Sequence, residues 1–172
     1  MELINHIDFC RAYKGVFDSV FSALESSPDS FANKNWTKIP IEGGIVNLAD
    51  AIFVEALKSS FFNDNFILTV VETYPAHGCN LKGAIANDLY LPSEPLEILH
   101  FDTMMFDIDA KWAVIFGIED FTLIGVDQEF EECLIRKLGG WSQIKAEFKD
   151  VAEVFRRAED KSKNKIADLL NR

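Results

Sequence analysis

Histidine and carboxylate side chains at close spacing are the first place to look for chemistry, and they concentrate in His100-Phe101-Asp102 and Asp107-Ile108-Asp109. Imidazole and carboxylate ligands suit zinc, manganese or iron. Parity works against a joint site. On one continuous strand over 97–109, His100 and Asp102 face one side while Asp107 and Asp109 face the other. Two ligands on each face are too few for a usual metal site, and only a bend near Met104-Met105 would unite them. We therefore expect a structural histidine among solvated acids, with no metal and no cofactor.

A second candidate is His77-Gly78-Cys79, where an imidazole could serve as base to a thiolate nucleophile. Nucleophile and base normally come from separate elements that the fold brings together, whereas these two sit two residues apart in a turn-rich stretch. Cys10 and Cys133 fall on apolar helical stripes and are expected in the core. Glu42-Gly43-Gly44 loosely resembles a loop that offers amides to a phosphate, but no Lys-Ser or Lys-Thr follows it. The chain has no Gly-x-Ser-x-Gly, His-Glu-x-x-His or Cys-x-x-Cys pattern, and only three histidines for acid–base work. An enzyme is unsupported by these residues, though carboxylates alone can do general acid–base chemistry.

What remains is charge. The 172 residues include 17 Lys and Arg against 28 Asp and Glu, a net charge of −11. The excess is uneven: residues 1–135 carry 7 bases and 22 acids, while 136–172 carry 10 bases and 6 acids. Between 83 and 135 the one base is Lys111, against 12 acids. A surface of one sign this dense speeds association with an oppositely charged partner, and it also serves solubility. It argues against nucleic acid and anionic membrane as ligands, because both are held by clustered Lys and Arg.

The elements that must position these groups follow from apolar periodicity. Cys10, Tyr13, Phe17, Val20, Phe21 and Leu24 have the spacing of an amphipathic helix over 5–25, which Pro28 closes. Residues 29–44 read as a long connection, and Asn47 as the cap of a helix burying Ala49, Ile52, Phe53, Ala56 and Leu57. Residues 66–72 are apolar on both parities, as in a strand covered on both faces. Residues 73–95 are turn-rich, 97–109 holds two alternating pieces, and 112–118 and 121–126 form an antiparallel hairpin around Glu119-Asp120. Asp127 starts a helix with acids in its first turn, Arg136 and Lys137 in its last, and Gly139-Gly140 beyond. Its apolar stripe is Phe130, Cys133, Leu134 and Leu138. Ser142 would cap a final long helix with Ile144, Phe148, Val151, Ala152 and Phe155 on one face, frayed by the lysines at 161–165.

The expected architecture is one α+β domain over 1–172: a mainly antiparallel sheet of four to five strands packed against N-terminal and C-terminal helices. With 48% apolar residues the chain has ample core, and its longest apolar run is far too short to span a bilayer. The acidic amino-terminal residues lack the pattern of an export signal, and three dispersed cysteines form no disulfide framework, so the cytoplasm is the expected location. The functional expectation is a non-enzymatic protein that binds a basic protein partner through Asp107, Asp109, Glu119, Asp120, Glu129, Glu131 and Glu132. In its most concrete form it is an immunity-type inhibitor that occupies the phosphate-binding site of a nuclease-like toxin. The alternatives are a small-molecule- or metal-binding α+β domain, and a subunit of a homo-oligomer or larger assembly.

Overall fold

The computed structural model describes residues 2–22, 27–44, 47, 50–60, 66–74, 78–86, 103–117 and 121–171. In chain order they form β1 (Glu2–Ile4), α1 (His6–Ala12), α2 (Lys14–Val20), a 3-10 turn (Pro28–Ser30), β2 (Thr37–Glu42), α3 (Ala51–Ser60), β3 (Phe66–Tyr74) and β4 (Gly78–Ala86). Then come β5 (Thr103–Asp107), β6 (Trp112–Phe116), β7 (Phe121–Val126), α4 (Gln128–Lys137), α5 (Trp141–Glu147), α6 (Lys149–Arg157), α7 (Lys161–Asp168) and a last 3-10 turn (Leu169–Asn171). Among these residues no helix is long and apolar enough to cross a membrane.

The α+β class is as expected, and every strand pairing is antiparallel. Among the described residues the sheet has seven strands in the order β1-β4-β3-β5-β6-β7-β2. The width beyond four or five comes from segments whose sequence does not look like strand. β2 lies inside the stretch read as a long connection, and it contains Pro40. Proline cannot donate to a ladder and is favoured at sheet edges, which is where β2 sits among the described strands, paired to β7. β4 lies in the turn-rich stretch and is held between β3 and β1.

Alternation along the central strands sends side chains into two cores. Met104, Phe106, Ala113, Ile115 and Leu123 meet residues of α1, α2, α6 and α7 on one face. Met105, Trp112, Val114, Phe116, Ile124 and Val126 meet residues of α3, α4 and α5 on the other. Every residue of β5, β6 and β7 is buried as a result. On the first face Phe106 takes edge contacts from Phe17 and Phe21, with ring centroids 5.7 and 5.9 Å apart. Such geometry matches the aromatic quadrupoles and pins α2 to β5.

The helices depart from the expected pattern in several places. The one helix expected over 5–25 is two, α1 and α2, which meet at Tyr13, and α2 ends at Val20 because Phe21 takes an extended backbone. Asp50, not Asn47, caps α3: its Oδ1 accepts from the amides of Ile52 and Phe53 at 2.8 and 3.2 Å. Ile52 is 77% exposed, whereas Phe53, Ala56 and Leu57 are buried as expected. Gly140, not Ser142, precedes the first turn of α5, and the final helix divides at Phe148. That division carries the chain from one face to the other, with Ile144 in the second core and Phe148 and Phe155 in the first. The lysines at 161–165 open α7 instead of fraying a helix, because the Asp160 side chain accepts from the Ser162 amide at 2.8 Å and caps it.

Lys165 Nζ donates to Asp29 Oδ2 and ties α7 to the Pro28–Ser30 turn. That hydrogen bond, aided by the charges of Lys165, Lys34 and Lys38, holds the Asp29 carboxyl below its ordinary 3.8. A lowered folded-state value means the stabilisation is complete above the unfolded value and is lost as pH falls through the folded one. Urea unfolding should therefore show wild type slightly more stable than Asp29→Asn at about pH 7, the gap being small for an exposed pair and closing at about pH 2. A gap that widened at acid pH would contradict this pairing.

Candidate functional site

The site is built on α4. Asp127 has extended backbone (φ −65°, ψ 155°) and begins the helix, and Glu129 and Glu131 lie in the first turn, where the helix dipole favours negative charge. Arg136 and Lys137 occupy the last turn, where it favours positive charge. The helix stops because Gly139 and Gly140 both take positive φ, 84° and 86°. The Gly140 amide closes the end on the Ile135 carbonyl at 2.8 Å. A Cβ at Gly139 would meet only the exposed, flexible Gln143 side chain, at 3.0 Å, so it is the positive φ that favours glycine there.

One face of α4 borders a cleft of about 730 Å³. Gln128, Glu131, Glu132, Ile135 and Arg136 line it at helical spacing, and Trp141, just past the glycine turn, closes its end. The Thr37 hydroxyl of β2 donates to Glu131 Oε2 at 2.5 Å, which fixes that carboxylate at the cleft wall. Polarity runs along the cleft: carboxylates at the N-terminal half, apolar Ile135 and Trp141 beyond, and one guanidinium at the C-terminal turn.

The expected binding residues divide. Asp109 is exposed in the tight turn after β5, closed by the Ala110 amide on the Asp107 carbonyl at 3.0 Å. The Asp127 amide donates to the Lys111 carbonyl at 3.2 Å, so this turn and the start of α4 lie at one end of the sheet. Glu129 and Glu132 are exposed there, and Glu131 is half-buried against Thr37. Asp107 does not share that surface: it ends β5 fully buried, and its Oδ2 accepts from the Lys111 amide at 3.3 Å. It organises the β5–β6 turn from inside. Glu119 and Asp120 lie outside the described residues. The strand ends that flank them, Phe116 and Phe121, are at the far end of β6 and β7 from Asp127, about 17 Å along the strands at ~3.3 Å per residue.

Of the residues weighed and set aside as metal ligands, His100 and Asp102 lie outside the described residues, while burial separates Asp107 from the exposed Asp109. No group of three or more His, Cys, Asp or Glu able to hold a metal occurs among the described residues. His77 also lies outside them. Cys10 is half-buried, not core, with its Sγ 3.7 Å from the His6 ring nitrogens one turn back, and Cys133 is likewise half-buried.

The Glu42-Gly43-Gly44 loop turns carbonyls, not amides, inward. Asn47 Nδ2 donates to the carbonyls of Glu42 and Gly43, and the Thr122 hydroxyl donates to those of Gly43 and Gly44. Converging acceptors repel a phosphate, so the loop has no anion-binding geometry. The residues missed in sequence are Thr37, Ile135 and Trp141. Ile135 and Trp141 had a legible signal, since Gln128, Glu131, Glu132, Ile135 and Arg136 form a second stripe on α4 that runs into the glycine pair. Thr37 had none. Comparison with protein families, with curated proteins and with solved structures finds no match to this chain.

Proposed function

We propose that the protein acts by binding a basic protein through the acidic end of its sheet, with Asp109, Glu129, Glu131 and Glu132 as the contact charges. In its most concrete form the reading is an immunity-type inhibitor of a nuclease-like toxin, since carboxylates can occupy a site shaped for phosphates. The observation that carries it is that Asp109, in the turn after β5, and Glu129 and Glu132, in the first half of α4, are exposed on two elements joined at one end of the sheet by the Asp127–Lys111 backbone hydrogen bond. Exposed carboxylates on two neighbouring elements attract a cationic surface and speed its association.

The test is affinity capture from lysate of the cells that make the protein, at low salt with a salt-step elution, followed by purification of any basic protein released. Against that partner, Asp109→Lys/Glu129→Lys/Glu132→Lys should bind about tenfold more weakly or worse and show a shallower dependence on salt. Glu131 is left intact in this variant because it also holds Thr37. Equal affinity and equal salt dependence for the triple variant would sink the proposal, as would an eluate with no basic protein.

A further inference from the structure

We propose that the cleft beside α4 is a subsite for one arginine side chain of that basic partner, its guanidinium at Glu131 and Glu132 and its stem along Ile135 and Trp141. This rests on the reading that the acidic end binds a basic protein, and it names the group recognised. Charge complementarity sets the sign of the occupant: two carboxylates stand on adjacent residues of the cleft wall. Glu131 is already oriented by the Thr37 hydroxyl, so binding need not order it, and a carboxylate accepting one hydrogen bond retains acceptor sites on both oxygens. Beyond the carboxylates the wall turns apolar at Ile135 and ends at the half-buried indole of Trp141.

That sequence of surfaces fits arginine better than lysine. A guanidinium forms a planar fork that can pair with two carboxylates at once while its stem packs on apolar surface, whereas an ammonium is a strongly hydrated point charge. A cleft of about 730 Å³ falls within the roughly 300–1,000 Å³ usual for ligand sites and exceeds one side chain, so part of the bearing segment enters too. Arg136 at the far end repels a second cation and thereby sets the direction of the occupant.

The structure also supplies its own reporter. Trp36 and Trp112 are buried, at 3% and 2% exposure, and Trp141 alone of the three tryptophans lines the cleft. The experiment is a low-salt NMR titration of the ¹⁵N-labelled protein, with Trp141→Phe used to assign the indole N–H. The probes are acetyl-Gly-Arg-Gly-Arg-Gly-amide and its lysine counterpart. The arginine peptide should shift the Trp141 indole saturably and bind at least about threefold more tightly than the lysine peptide. Glu132→Gln should weaken it about three- to tenfold, Arg136→Gln should tighten it about twofold, and Glu159→Gln, an exposed acid outside the cleft, should leave it unchanged.

Shifts confined to amides near Asp109 and Glu129, equal for both peptides and with Trp141 still, would overturn the subsite while leaving the acidic-surface reading standing. Absence of any shift would also overturn the subsite. In that case the acidic-surface reading is decided separately, by the protein capture and the triple charge reversal.

Discussion

Gly125→Val should destabilise the fold by about 3 kcal/mol, lowering the unfolding midpoint by roughly 6–12 °C for a chain of this size. Gly125 stands next to the last residue of β7, paired to Ala113 on one side and to Lys38 of edge strand β2 on the other. The rings of Trp36 and Phe31 lie directly over it: a Cβ there would come within 2.8 Å of Trp36 Cε3 and 3.0 Å of Phe31 Cδ1. These rings have no room to retreat. Both are buried, their centroids are 5.9 Å apart, and Phe31 stacks in turn on Phe21 at 6.0 Å. Overpacking such a cluster forces off-rotamer side chains or a backbone shift.

The same substitution should disturb the site. Trp36 immediately precedes Thr37, whose hydroxyl positions Glu131, so a displaced indole moves the donor that orders the cleft wall. Urea unfolding of Gly125→Ala, Gly125→Val and Gly125→Val/Trp36→Leu gives the check. The loss should grow from alanine to valine and be partly recovered in the double variant, where the smaller side chain makes space. A valine variant within about 1 kcal/mol of wild type would show that the rings are not close-packed on β7.

Asn47→Ala should cost about 2–3 kcal/mol, an effect above that expected of a helix cap because Asn47 is not one. Its amide is buried and donates to the carbonyls of Glu42 and Gly43 and to Thr122 Oγ1. Thr122 is fully buried on β7 and donates back to the same loop. Removing the amide takes this donor from the Glu42 carbonyl, leaves the Gly43 carbonyl to the Thr122 hydroxyl, and deprives buried Thr122 Oγ1 of its donor, and a buried polar atom left unsatisfied carries a desolvation penalty. The knot fastens the end of β2 to β7, so its loss frees the edge strand that also carries Thr37. Unfolding measurements on Asn47→Ala, Thr122→Val and the pair should show strong non-additivity, since both single changes empty one network. Additive losses, or a single loss below about 0.5 kcal/mol, would mean the loop finds other donors.

Much of this molecule is local physics and could be read along the chain. β6 and β7 were legible as two apolar runs separated only by Glu119-Asp120, the pattern of an antiparallel hairpin, and both strands are wholly buried and paired to each other. α4 was legible from its charge gradient and the glycines that stop it, since the dipole and the positive-φ requirement act within a few residues. β2 and β4 were not. Pro40 and the Gly-Asn-Lys composition of 78–86 argue against strand, and these segments become strands because a neighbouring strand presents unsatisfied amides and carbonyls to them.

The acidic excess and its concentration before residue 135 belong to the sequence, as do the residue types that make an arginine subsite conceivable. Which acids stand together was decided by tertiary structure. Asp107 and Asp109 are two residues apart, yet the turn that the Ala110 amide closes on Asp107 buries one carboxylate and exposes the other. Glu131 and Thr37 are 94 residues apart and share a hydrogen bond. Periodicity says which side chains hide, because it follows from the geometry of a single element. It does not say against which of two sheet faces they hide, or which end of the sheet their exposed neighbours reach, because that depends on strand order and on backbone hydrogen bonds between distant segments.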